Sequence, residues 1–263
     1  MKRFFLTTVI AMAAVTFVAA QETEVLTNKK GTPILPQKGS FTLGIDASPF
    51  FTNVGGIFSN NHAVSPDFGN GGVFYGQYFL TDKRALRLKT TINRTSGRLV
   101  QWVHETSQTE GDPTLKDVTI YSGSLIGLMV GLQNYVGKGR LQGFYGIEAG
   151  AGYGSEREKY TYGNALSDAN PNWGQWRTLK DHGHEFDLRA GIYAGIDYFI
   201  APGISIGGEV GWNMEFATTT RGTIERERWY QGKLETETNQ GNYVLRGSRL
   251  GNVEGGIVLK FHF

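Results

Sequence analysis

The chain has no cysteine. That excludes disulfides, thiolate chemistry and a lipid anchor on an N-terminal cysteine, so an exported protein of this sequence holds together by burial and hydrogen bonding alone. Excess charge is also missing. The formal net charge is +2 over 263 residues, and it falls to about zero once Lys2 and Arg3 leave with a cleaved leader. Such a balance provides no field to recruit nucleic acid. Beyond the first twenty residues no apolar run is long enough for a membrane-spanning helix, and no stretch sustains a 3.6-residue period. The mean hydropathy, -0.28, is that of a water-soluble chain.

What is present begins with the leader. Lys2-Arg3, an apolar run from Phe4 to Val18 and the small pair Ala19-Ala20 precede the polar QETE. This order predicts a secretory signal peptide over residues 1–20. The competing reading, an anchor helix, needs about 20 uninterrupted apolar residues. Residues 21–39, with Pro33 and Pro36, are expected to form an extended periplasmic lead-in. Residues 40–263 then form one domain.

Within that domain the dominant pattern has period two, the signature of half-buried strands. Phe41, Leu43, Ile45 and Ala47 alternate with Thr42, Gly44, Asp46 and Ser48. Leu86, Leu88 and Ile92 oppose Arg87, Lys89 and Asn93, and Ile126, Leu128, Val130 and Leu132 oppose Gly127, Met129, Gly131 and Gln133. Tyr145 to Tyr153, Phe186 to Tyr198 and Ile204 to Phe216 repeat the pattern, with Glu148, Asp187, Arg189 and Glu209 on the polar side. In the last stretch Val253, Ile257, Leu259, Phe261 and Phe263 oppose Asn252, Glu254, Lys260 and His262. Gly72 to Leu80 is aromatic on both faces, so its inner face stays unassigned.

About eight strands result, each near or above the roughly 9–11 residues that a tilted strand needs to cross a bilayer. The connections alternate in length. Thr81–Arg84, Gly137–Arg140 and Ala201–Gly203 are tight, whereas 51–71, 97–117, 156–183 and 217–247 are long and polar. Short turns at one end and long loops at the other are the layout of an outer-membrane barrel. The fold class expected is all-β: a transmembrane antiparallel up-and-down β-barrel of about eight strands. Ten strands remain an alternative, if the charged stretch from Thr223 to Thr238 adds an omptin-like hairpin.

A soluble lipocalin-like barrel would show the same alternation with its faces reversed. Three features favour the membrane. Full charges occupy the polar face of most strands, glycines on that face leave room for long side chains, and aromatics sit near strand ends at Phe41, Tyr135, Tyr153, Tyr198, Phe216, Phe261 and Phe263, where interfacial girdles belong.

The final strand, ending in aromatic Phe263 with Phe261, Leu259 and Ile257 on one face, resembles the C-terminal assembly signal of Gram-negative outer-membrane barrels. From Phe41 to Phe263 the chain is similar to the small OmpA/OmpX-type, or porin-family, barrels, without room for the globular periplasmic domain of full-length OmpA. The resemblance implies an outer-membrane location and, as partners, outer-membrane lipids, lipopolysaccharide and the barrel assembly machinery. It brings no catalytic or ligand motif.

Function then falls to the lumen and the loops. An eight-stranded barrel is just wide enough to be filled by side chains. Counting from the tight turns places Asp46, Glu148, Glu209 and Glu254 near mid-height, with Arg189 a little above and Arg87, Lys89 and Lys260 below; Asp187 belongs to the same charge network. Lys89 and Arg189 are expected to bridge the carboxylates, with water filling the rest. Such a network is either a gate whose ion pairs exchange to open a narrow pore for ions or small polar solutes, or a static plug. In the loops, Trp173, Trp176, Arg226, Arg228, Trp229 and Tyr230 are candidates for contact with a surface ligand or an envelope complex. The bland alternative is that they rise through lipopolysaccharide as strand extensions.

Enzyme readings are weak. His182 and His184, beside Asp181 and Asp187, have a His-x-His spacing that suits a divalent metal, but solvent-facing histidines at a strand junction explain it as well. His62, Ser65 and Asp67 fall in an Asn/Gly/Pro loop without a nucleophile elbow. No pattern calls for a cofactor.

Overall fold

The computed structural model describes residues 26–48, 72–106, 111–171, 176–241 and 244–263. The expected leader therefore lies outside the described residues. Ten strands follow one another: β1 (Phe41–Asp46), β2 (Gly72–Thr81), β3 (Arg84–Val103), β4 (Leu115–Val136), β5 (Leu141–Thr161), β6 (Trp176–Ala201), β7 (Ile204–Thr219), β8 (Thr223–Tyr230), β9 (Lys233–Gln240) and β10 (Arg246–His262). Every pairing is antiparallel. The ring β1-β2-β3-β4-β5-β6-β7-β10 closes on itself through β5–β6 and β1–β10, so the barrel proper has eight strands.

The additional hairpin β8–β9 exists, but above the ring. After a break at Thr220–Gly222, β8 carries on from β7, and it pairs with the upper part of β6 from Asp181↔Thr223 to Trp176↔Glu227. β9 returns beside β8 and leads into β10. The ten strand segments are thus eight barrel strands, the last hairpin of which is interrupted midway.

Among the described residues the strand lengths are uneven. β3, β4, β5 and β6 have 20, 22, 21 and 26 residues, against 6 and 10 for β1 and β2. Crossing the bilayer takes about 9–11 residues, so roughly half of each long strand stands beyond the membrane. Two of the register slips fall at glycines. Gly183 in β6 (φ 83°) and Gly251 in β10 (φ 87°) adopt the left-handed conformation that a bulge asks of a glycine, at the register slips opposite β5 and β7.

The faces follow the sequence pattern. Leu86, Leu88, Ile92, Leu128, Ile147, Leu188, Val210 and Phe216 are exposed on the outside, where lipid replaces water, while Arg87, Lys89, Met129, Gln133, Glu148 and Asp187 are buried inside. The unassigned strand resolves the same way: Tyr75, Gln77 and Phe79 point inward, and Phe74, Tyr78 and Leu80 face lipid. Two expectations need correction. Tyr135 is no girdle residue, since its odd position in β4 turns it inward with Met129 and Gln133, where it is buried. Ala47 also departs from the outer row: it follows the last residue of β1 and is buried, its N–H bonded to Ile257 O at 2.7 Å.

The lead-in is not simply extended. Asn28 Oδ1 accepts the N–H groups of Lys30 and Thr32, and Thr27 bridges Pro33, forming a small turn. Ile34 and Pro36 after it are buried. Gly39 N–H then bonds Phe79 O, and Lys38 N–H bonds Asp82 Oδ1, fastening the segment to the end of β2.

Candidate functional site

The lumen is built from inward positions of all eight ring strands, and glycines decide where large side chains fit. Tyr193 lies opposite Gly146, and Phe144 opposite Gly195, across the β5–β6 pair. Each ring occupies the space a Cβ on its partner glycine would need. Gly131 similarly sits between Arg87 and Glu148 in one continuous row of partners.

At the periplasmic end His262 is held between the hydroxyls of Thr42 and Ser205, each at 2.8 Å. Above it Lys260 Nζ contacts both carboxylate oxygens of Asp197, at 2.9 and 2.7 Å, and lies 4.5 Å from the centre of the Phe144 ring. The Tyr135 hydroxyl is 3.0 Å from Asp197 Oδ2 and 3.2 Å from Gln77 Oε1, and Gln77 donates to Gln133 at 3.0 Å. Phe79, Ala85, Tyr135, Phe144 and Tyr193 pack into one apolar cluster through this half.

Arg87 occupies the next layer, 1% exposed. Its Nη2 donates to Glu209 Oε1 at 2.7 Å, and its Nε is 3.6 Å from Glu148 Oε2. The guanidinium also lies 4.0 Å from the Tyr193 ring centre and 4.9 Å from that of Tyr75, whose hydroxyl donates to the same Glu209 oxygen at 3.2 Å. A buried cation requires such company, because desolvation costs several kcal/mol per ion unless paired charges and rings offset it.

Higher still, Lys89 Nζ meets Glu254 Oε2 at 2.7 Å. Arg189 Nε lies 2.7 Å from Asp187 Oδ1 and 3.3 Å from Glu215 Oε2. Over this floor a cavity of about 610 Å³ rises toward the extracellular end, lined by Asn93, Thr95, Glu185, Lys180 and His182 among others.

The network differs from the expected one. Lys89 does bridge one of the expected carboxylates, Glu254, but Arg87 joins Glu148 to Glu209, and the ion pairs of Arg189 are with Asp187 and Glu215. Asp46 Oδ1 accepts the N–H of Ser48 at 2.8 Å instead of joining a bridge. Counting residues from the turns misplaces these heights because closure staggers the register of neighbouring strands. Tyr75, Tyr193, Asp197 and Glu215 complete the layers and escaped the candidate set. Inward parity marks all four, but parity alone does not say which of them touch.

The loop candidates do not converge. Trp173 lies outside the described residues, as do His62, Ser65 and Asp67. Trp176 packs on Tyr162 with ring centres 4.5 Å apart, and Trp229 Nε1 donates to Asp168 Oδ1 at 2.7 Å. Arg226 pairs with Glu237 in the β8–β9 register, and Arg228 Nη2 bridges to Glu235 Oε2 at 2.7 Å with its guanidinium 5.4 Å from the Tyr230 ring. His182 Nε2 sits 2.7 Å from Glu158 Oε1, whereas His184 Nδ1 sits 2.6 Å from the Tyr153 hydroxyl, so the two imidazoles go to different partners. Phe261 and Phe263 face outward, and the backbone of Phe263 exchanges two hydrogen bonds with Phe41 where the ring closes.

Residues 71–219, more than half of the chain, match the model of the OmpA-OmpF-like porin family. The match covers β2 to β7, including Arg87, Lys89, Glu148, Arg189 and Glu209. No curated protein matches the chain.

Proposed function

Because the chain belongs to the OmpA-OmpF-like porin family and is an outer-membrane β-barrel, we propose that it is a non-catalytic barrel, closed through its periplasmic half, that reinforces the outer membrane and meets its surroundings through its tall extracellular wall. Residues 1–20 are its export signal, and the Phe261–Phe263 end is what the assembly machinery reads. Lipopolysaccharide surrounds the wall, whose upper hairpin with Trp176, Arg226, Arg228, Trp229 and Tyr230 presents its surface to a ligand or an envelope complex.

One observation carries the closed reading. From His262 up to Arg87 the successive lumen layers are filled by buried side chains, Phe199, Lys260, Gln133, Phe79 and Arg87 each being no more than 2% exposed. Ions crossing this stack would have to displace paired charges and packed rings together.

A second reading has its own support. Arg87 has two carboxylates within reach, Glu148 and Glu209, and Lys89 holds Glu254 just above, so an exchange of partners would open a narrow path for ions or small polar solutes. Single-channel conductance of the refolded protein in a planar bilayer decides between the two. The closed barrel is silent while migrating as a folded, heat-modifiable species. Steady openings that change in Lys89→Ala or Arg189→Ala would replace it with the gated channel.

A further inference from the structure

The outside of the tall wall carries a feature that the lumen does not explain. Across β3, β4 and β5 the registers run without a slip, from Arg84 to Val103 and from Val118 to Val136, so residues that face outward can be read row by row. The row Ile92, Ile126, Tyr153 faces lipid, each of its members being exposed. The next row up is Arg94, Ser124, Ser155; then come Ser96, Ser122, Arg157; then Arg98, Ile120, Lys159. These three rows hold four cations, four hydroxyls and no carboxylate.

Their height is set by a second arginine. Arg84, with Asn134 and Tyr145, forms the row at the periplasmic edge of the same face. Arg84 and Arg94 are ten residues apart, which at about 3.4 Å per residue is about 34 Å along the strand and, at a tilt of about 40°, about 26 Å along the membrane normal. The apolar band of such barrels is about 25 Å tall. Arg94 therefore stands where the outer-leaflet hydrocarbon ends and the headgroups begin, and Arg98 and Lys159 stand above it.

The cations are available. Among the described residues Arg94, Arg98 and Lys159 form no ion pair, and all three are exposed, while Arg157 is shared with Asp181 at 2.7 Å and remains largely open. Neighbouring strands are about 4.8 Å apart, which puts Arg98 and Lys159 about 10 Å from each other, separated by Ile120. Guanidinium forks suit phosphate oxygens, and serine hydroxyls beside them provide further donors.

We propose that this face, centred on Arg94, Arg98 and Lys159, binds the phosphorylated headgroup of an outer-leaflet glycolipid, its acyl chains lying along the apolar rows below. The inference rests on the outer-membrane reading above and adds a ligand class and a site to it. Positive charge at the headgroup level meets anionic lipid at close range, where little salt screening intervenes.

The test uses the full mature barrel refolded in phosphatidylcholine, with the temperature at which the folded gel band converts to the unfolded one as readout. Purified lipopolysaccharide, the same material with its phosphates removed, and inorganic phosphate are added separately. Lipopolysaccharide raises the midpoint of the wild type and of Lys233→Gln, a control high on the hairpin. The triple variant R94Q/R98Q/K159Q loses at least half of that rise, and the charge-preserving R94K/R98K/K159R keeps most of it. Dephosphorylated material raises the wild type no more than lipopolysaccharide raises the triple variant. An equal rise in the wild type and R94Q/R98Q/K159Q would overturn the site, and so would an equal effect of inorganic phosphate, which would make the source a free anion. Should R94Q/R98Q/K159Q not fold, R98Q alone must give a smaller rise than the wild type. Failure of the barrel reading would look different: no heat-modifiable folding in any lipid.

Discussion

Arg87 and Glu209 meet at 2.7 Å from strands diametrically opposite in the eight-membered ring, β3 and β7. Three strands lie between them in either direction, so this contact spans the lumen and ties the two halves of the barrel together. Glu148 on β5 approaches the same guanidinium at 3.6 Å, and the rings of Tyr75 and Tyr193 lie within 4.9 Å of it.

Truncating Arg87 removes the ion-pair partner of both Glu148 and Glu209. Removing one partner of a buried pair costs about 3–5 kcal/mol, and Arg87→Ala is expected to lose that much stability in urea unfolding from lipid vesicles. The triple variant R87M/E148Q/E209Q should recover most of it, because no unpaired charge remains. A loss below about 1 kcal/mol for Arg87→Ala would mean that water, not the arginine, stabilises the carboxylates.

The glycines opposite the lumen aromatics predict an overpacking cost. A methyl group at Gly195 would occupy the space of the Phe144 ring, and one at Gly146 that of Tyr193. Gly195→Ala and Gly146→Ala should each destabilise the barrel by about 1–3 kcal/mol. Gly139, in the β4–β5 turn with nothing near its Cβ position, serves as the control in the same unfolding measurement.

Lipid-facing placement is tested by charge. Leu128 and Val210 are about half exposed on the outer face, Leu128 in a row between the two basic edges. Arginine at either position should cost roughly 2–4 kcal/mol for folding into a bilayer. Folding yield and midpoint in phosphatidylcholine vesicles report it. Two harmless substitutions would invert the inside and outside of the barrel.

Above the membrane the Glu158 carboxylate is pulled down from the ordinary 4.5 to about 2, chiefly by the hydrogen bond it accepts from the Tyr160 hydroxyl; burial opposes this, and His182 and Lys180 add to the lowering. A depressed carboxylate contributes stability that is complete above the unfolded value of 4.5 and disappears as pH falls through about 2. Tyr160→Phe should therefore move the Glu158 titration up toward 4.5, followed by NMR of glutamate carboxyl carbons. An unmoved midpoint would assign the shift to His182 and Lys180.

The correction at Tyr135 shows how far the pattern reaches. Position in β4 put it inward by parity, yet its nearness to the strand end made it look like a girdle residue, and the structure follows parity. Gly72 to Leu80 is the converse case, aromatic on both faces, where only the partners across β1 and β3 decide that Tyr75 and Phe79 turn inward.

Period-two alternation, the rhythm of tight and long connections and the apolar last strand determined the barrel, its strand directions and which face of most strands meets lipid. All of these are local: a side chain's face is fixed by its parity along one strand. Which charges meet inside was decided by the tertiary structure alone, because the stagger that closes the ring shifts each strand against its neighbour and brings Arg87 level with Glu209 rather than with residues counted equally from the turns. The antiparallel pairing of β3, β4 and β5 likewise set Lys159 beside Arg94 and Arg98 on one wall, which parity along a single strand does not give.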